Sequence, residues 1–216
     1  MRVATLALLM VMMGSCAASS SGQEEWISLF DGATLSGWEG NEEYFRVENG
    51  VIVGGTTAAP IPQNEFLCSE NSYGDFEMEL EFRLDEGVNS GVQIRSERIP
   101  DSHETIGYQA DLGAGYWGAI YDESRRNRVL LAPRDSLIER ILDPTGWNHY
   151  RILAQGPRIQ LFINGERTVD YTETEPDIAQ SGVICLQIHS GPPGEVRFRE
   201  LRIRELGTAA AALAEL

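Results

Sequence analysis

An all-β fold, a two-sheet antiparallel sandwich of jelly-roll type, is predicted by three observations on this sequence. Apolar residues alternate with polar ones over many short runs. Gly, Pro, Asn and Asp punctuate those runs at short intervals. Neither a helix of convincing length nor a strand–helix–strand rhythm interrupts them.

The clearest run is Phe76-Glu-Met-Glu-Leu-Glu-Phe-Arg-Leu84. Successive strand side chains point to opposite faces. Phe76, Met78, Leu80, Phe82 and Leu84 therefore face one side, and Glu77, Glu79, Glu81 and Arg83 the other. Val92 and Ile94 alternate in the same way with Gln93 and Arg95. Ile159, Leu161 and Ile163 lead into Asn164-Gly165, a strong two-residue hairpin signal, and Val169 and Tyr171 return from it. Val183 to His189 and Val196 to Ile203 complete the set. In the last run the apolar parity shifts from even (Val196, Phe198) to odd (Leu201, Ile203), which predicts a bulge. Pro60-Ile-Pro62 marks a loop within one domain, and no internal repeat is visible.

The 216 residues divide into a leader (1–15), a lipidated cysteine with a Ser/Ala-rich tether (16–25), one β domain (26–206) and a short tail (207–216). Arg2 followed by the apolar run Val3 to Met13 reads as an export signal too short to span a bilayer as a mature helix. Met13-Gly-Ser-Cys16 resembles a bacterial lipoprotein cleavage box, with Met13 where leucine is usual. The expectation is an exported lipoprotein of the periplasm or cell surface, held to the membrane through Cys16 alone; plain secretion is the alternative. The remaining cysteines, Cys68 and Cys185, either pair or stay free, and two free thiols are the favoured reading.

A net charge of −16 without a basic stripe argues against nucleic acid as a partner. It also disfavours anionic ligands at long range, so a neutral small molecule fits better. Polar function concentrates in Gly107-Tyr-Gln-Ala-Asp-Leu-Gly113, Tyr121-Asp-Glu-Ser-Arg-Arg126 and Leu186-Gln-Ile-His-Ser-Gly191. Ala110 and Leu112 enter a core while Gln109 and Asp111 look out together. Ile188 goes inward while Gln187 and His189 look out. Such a face is expected to bind something the size of a sugar and to carry chemistry.

Further segments extend this set in order along the domain: Ser28-Leu-Phe-Asp-Gly32, Leu35-Ser-Gly-Trp38, Val47-Glu-Asn-Gly-Val-Ile-Val53, Phe66-Leu-Cys-Ser-Glu70, Tyr73-Gly-Asp-Phe76, Gly87-Val-Asn-Ser-Gly-Val-Gln93, Trp117-Gly118, Trp147-Asn148 and Val196-Arg-Phe-Arg199. In this order they resemble the 3-keto-disaccharide hydrolase domain family. The resemblance implies a concanavalin A-like jelly roll with a carbohydrate-binding concave sheet. It also implies a substrate sugar or glycoside already oxidised to a ketone at carbon 3. That ketone acidifies the hydrogen on carbon 2. A base can then form an enolate, which expels the group on carbon 1 before water adds. The site needs a base, a stabiliser of the enolate oxygen and an acid for the leaving oxygen.

His189 is the first choice for proton transfer, because imidazole titrates near neutral pH. Asp122 or Glu123 is the candidate general acid, with one of the two expected to enter the pocket. Arg95 is the oxyanion candidate, with a cross-strand partnership to Glu79 or Glu81 as its structural alternative. Gln93, Gln109, Asp111, Gln187 and Glu70 are expected to read sugar hydroxyls. Tyr116, Tyr121 and Trp117 can stack on a pyranose, though Trp117 fits a core position equally. His103 and His149 read as ordinary surface residues. A divalent cation is a weak expectation: Asp111, Asp122, Glu123 and His189 are acceptable ligands, but no closely spaced motif marks them. Two other readings stand beside the enzyme. One is a non-catalytic carbohydrate-binding lipoprotein. The other is an endoglucanase, whose Glu-x-Asp-x-x-Glu strand is not matched by Glu77-Met-Glu79-Leu-Glu81.

Overall fold

The structure is a computed structural model that describes residues 25–207. The leader, the Cys16 lipidation expectation and positions 208–216 of the tail lie outside the described residues.

The strands are, in order, β1 (Ile27–Ser28), β2 (Trp38–Glu39), β3 (Phe45–Glu48), β4 (Val51–Thr56), β5 (Glu65–Tyr73), β6 (Phe76–Leu84), β7 (Ser90–Arg98), β8 (Thr105–Leu112), β9 (Ile120–Glu123) and β10 (Arg128–Leu131). After a helix α1 (Asp135–Ile141) come β11 (Asn148–Gln155), β12 (Arg158–Ile163), β13 (Glu166–Thr172), β14 (Gly182–Ile188) and β15 (Gly194–Glu205). They form two antiparallel sheets. The first runs β13-β12-β11-β6-β15-β4-β3, with β1 added to β15; the second runs β10-β9-β8-β7-β14-β5-β2. This is the predicted jelly-roll sandwich.

Alternation builds the core between them. Phe76, Met78, Leu80 and Phe82 of β6 meet Val92, Ile94, Tyr108, Ala110 and Leu186 of the second sheet in one buried cluster. Phe82 packs edge-on to Tyr150 at 5.6 Å and stacks on Trp117 at 6.1 Å, which makes Trp117 a wall of the core as well as a surface residue. The outward glutamates of β6 are laced to arginines: Glu77 to Arg151 and Arg204, Glu79 to Arg202, and Glu81 to Arg199.

The Asn164-Gly165 hairpin joins β12 to β13 with both residues at positive φ (49° and 83°), as a two-residue turn of that type requires. The predicted bulge in β15 lies between Arg199 and Arg202, with Glu200 at φ 55°. The helix content matches the expectation: among the described residues there is one short helix, α1, with Asp135 in its first turn and Arg140 in its last, as the helix dipole favours. Its roughly two turns carry no buried residue, so they left no apolar period to read. One sequence expectation is corrected. Cys68 and Cys185 are not free thiols but a disulfide. They stand directly opposite each other on β5 and β14, with Cα atoms 3.9 Å apart. That register is set by tertiary pairing and is invisible in the sequence.

Candidate active site on the outer face of the second sheet

Register carries the polar residues of the second sheet to one place. Across β14, β7, β8 and β9, Cys185, Gln93, Gln109 and Tyr121 are successive partners; one step along, Gln187, Gly91 and Asp111 align. All point away from the core. Gly91 is required here by close approach: a Cβ on it would stand 2.5 Å from Gln109 Cγ. The missing side chain is the space that Gln109 fills.

A pocket of about 320 Å³ opens on this face, lined by Asn89, Gln109, Asp111, Tyr116, Tyr121, Glu123 and His189, with Ala114 at its side. Its floor is a hydrogen-bonded row. Ser96 Oγ donates to Gln93 Oε1 (2.8 Å), and Gln93 Nε2 donates to Gln109 Oε1 (3.0 Å). Gln109 Nε2 donates to Asp111 Oδ1 (2.6 Å) and to Gln187 Oε1 (3.2 Å). Every amide in the row is buried, so its orientation is fixed by its neighbours. Gln187 Nε2, buried beneath the pocket lining, has no hydrogen-bond partner among the described residues.

Burial dominates the electrostatics. Asp111 is 3% exposed. Burial pushes its carboxyl up to about 7, with Glu123 adding to the rise and the Gln109 hydrogen bond opposing it. Glu123 is raised chiefly by burial and then by the Glu104 charge, while His189 favours its ionised form. His189 extends from the end of β14, its backbone N–H donating to Asn89 O at 3.1 Å. Its Nδ1 lies 2.7 Å from Ser190 O. A carbonyl only accepts, so Nδ1 holds the proton and Nε2 presents a lone pair in the neutral ring.

The structure brings together His189, Glu123, Asp111, Gln109, Tyr116 and Tyr121, with Gln93 and Gln187 supporting from beneath. It places three expected residues elsewhere. Arg95 sits at a register irregularity in β7 with φ 49°. The irregularity breaks the alternation and throws its side chain off the site face. There Arg95, 1% exposed at the side chain, donates to Gly74 O, Gly156 O and Asp75 Oδ1 at 2.6–2.9 Å. It ties two turns together instead of facing a substrate. Asp122 is 0% exposed and points opposite to Tyr121 and Glu123, paired with Arg125 and Arg126. Arg126 continues to Glu173, which accepts from the Tyr108 and Tyr171 hydroxyls. Of the two adjacent acids, Glu123 alone enters the pocket. Glu70 is exposed on β5, three strands from β8 and outside the pocket lining.

Sequence reasoning missed Asn89 and Glu104. Asn89 precedes β7 in the stretch Gly87-Val-Asn-Ser-Gly, in the irregular connection just ahead of the strand, where alternation says nothing. Glu104, just ahead of β8, acts on Glu123 only because β8 pairs with β9. Among the described residues no group of three or more His, Cys, Asp and Glu side chains is arranged to hold a metal. Of the donors named from sequence, Asp111, Glu123 and His189 line the pocket and Asp122 faces away.

A two-sheet jelly roll with a polar pocket on one outer sheet face is an architecture that carbohydrate-related proteins use. The chain belongs to the 3-keto-alpha-glucoside-1,2-lyase-like domain family, which matches residues 25–204. A protein of Parabacteroides distasonis ATCC 8503 provisionally named a glycosyl hydrolase is similar in structure at 18% identity, TM-score 0.63, over 84% of this chain and 94% of that one. The carbohydrate-binding module CBM66 of Bacillus subtilis is similar at 15% identity, TM-score 0.60, over 80% and 98%. The β-glucanase of Bacillus licheniformis is similar at 11% identity, TM-score 0.58, over 87% and 100%. At these identities the likenesses establish the fold. No curated protein matches the chain.

Proposed function

We propose that this domain cleaves 3-keto-glycosides by elimination followed by hydration. The observation that carries the reading is one pocket holding a histidine with a free Nε2, a buried carboxyl protonated up to about pH 7, and a second carboxylate beside the histidine.

His189 Nε2 takes the proton from carbon 2, and the electron pair of that bond forms the enolate of the carbon 3 ketone. The enolate collapses, the bond between carbon 1 and the leaving oxygen breaks, and protonated Asp111 gives its proton to that oxygen. Water then adds across the new double bond, hydroxyl to carbon 1 and hydrogen to carbon 2. Glu123 stabilises the imidazolium by charge, while Gln109 and Asn89 orient sugar oxygens and Gln187 holds Gln109 from beneath. Positioned acid–base groups of this kind contribute about 100- to 10,000-fold each.

The test is incubation of the purified domain with a 3-keto-glucoside and with its unoxidised parent. Release from the ketone alone supports the reading. Sugar binding without release from either compound favours the second reading, a carbohydrate-binding module, for which exposed Tyr116 beside Tyr121 offers a stacking surface. We propose in addition that Cys16 anchors the exported protein to a membrane; a Cys16→Ala protein that still partitions into detergent would refute the anchor.

A further inference from the structure

A second cavity, of about 420 Å³, adjoins the polar pocket. The two share Ala114 and Tyr116, so the β8–β9 connection is the common wall. Backbone hydrogen bonds from Tyr116 N to Gly113 O and from Ala119 N to Tyr116 O, both 2.9 Å, hold that wall in consecutive turns. Beyond it the lining is apolar, with Trp117, Pro133, Ile138 and Leu142 prominent, and the only charges are the carboxylates of Asp135 and Glu139. Trp117 cannot swing out of the way, because its other face is stacked on core residue Phe82. Tyr116, 42% exposed, has no packing role that would account for an aromatic ring between two cavities.

We propose that this cleft is the aglycone subsite of the site described above, and that the preferred substrates are 3-keto-glycosides of neutral, apolar, ring-sized alcohols. The inference rests on the proposed reaction and specifies its substrate. Three features select this occupant. The cleft adjoins the pocket that would hold the sugar and shares Ala114 and Tyr116 with it, so a group bonded through the leaving oxygen need only pass the exposed Tyr116 ring to reach it. Its lining rewards removal of apolar surface from water. Its acidic pair, within a chain of net charge −16, disfavours anionic aglycones. A second sugar would leave its hydroxyls against proline, isoleucine and leucine, with few partners.

The experiment compares cyclohexyl and methyl 3-keto-glucosides, whose leaving alcohols have similar acidity, with the wild-type domain and Ile138→Asp. Ile138 is partly exposed on a surface helix and belongs to the apolar cleft alone, so the fold and the chemistry are expected to survive. The wild type should favour the cyclohexyl compound by about tenfold or more in kcat/KM, the scale of burying a few methylenes. Ile138→Asp should abolish that preference and leave methyl turnover unchanged. Fluorescence titration with 2-naphthol reads the cleft directly. Equal turnover of the two glycosides, unaltered by Ile138→Asp, overturns the subsite while the reaction stands. If neither glycoside turns over but 2-naphthol binds the wild type and not the variant, the reaction falls and the apolar ligand class stands. Absence of both turnover and naphthol binding overturns both.

Discussion

Gln109 Nε2 stands 2.6 Å from Asp111 Oδ1 while Gln109 Oε1 is itself held by Gln93 Nε2 at 3.0 Å, so the carboxyl is oriented by an amide that cannot turn. This bond favours the ionised carboxylate and opposes the effect of burial. Gln109→Leu should therefore raise the Asp111 pKa further. The alkaline limb of the kcat/KM profile on a 3-keto-glycoside should move to higher pH, and an unmoved limb would show that the hydrogen bond does not act on the titrating group.

Asp111 gives a second pH signature, in stability. Its carboxyl rises on folding from an ordinary 3.8 to about 7. The folded state consequently holds a proton that the unfolded state has released between those values. By linkage, the Asp111 contribution to stability is greatest below the ordinary value and is lost as pH rises through about 7. Denaturant titrations of Asp111→Asn should show a smaller decline across that window than the wild type. Activity should follow the same proton: with Asp111 as the proposed acid, turnover of a 3-keto-glycoside should fall as pH rises through about 7, and the asparagine variant should be slow throughout.

His189→Ala should lower turnover of a 3-keto-glycoside by roughly 100-fold or more, the scale for losing a general base. Sugar affinity should change much less, and the fold should persist because the ring lies outside the core. Full activity in this variant would transfer the role of base to Glu123.

Arg95→Ala separates structure from catalysis. Its removal leaves Asp75 without its cation and frees the carbonyls of Gly74 and Gly156. Breaking such a pair costs about 3 kcal/mol or more. The variant should be markedly easier to unfold in urea yet normal in turnover per folded molecule. A collapse of kcat with unchanged stability would return Arg95 to the oxyanion role.

Reduction of Cys68–Cys185, or a double serine replacement, should cost about 2–5 kcal/mol, because the bond spans 117 residues of chain. Equal urea midpoints with and without the bond would contradict this.

The fold was largely legible because its signal is local. The run Phe76 to Leu84, the Asn164-Gly165 turn and the parity shift ahead of Leu201 each reveal themselves within a few residues. The site was legible wherever alternation held: Gln109 with Asp111, and Gln187 with His189, do share a face. It failed at Arg95, where a positive-φ residue resets the period, and at Asn89 and Glu104, whose neighbours are chosen by strand pairing. The disulfide was hidden for the same reason. No local pattern states that position 68 will stand opposite position 185.

The two faces of β8 have a consequence for descent. Tyr108, Ala110 and Leu112 belong to the core, whereas Gln109 and Asp111 belong to the pocket. Lineages can therefore rewrite every second letter of such a strand and change what the surface does without renegotiating how the molecule folds. Substitution at the outward letters alters the pocket while the apolar letters that build the core stay in place.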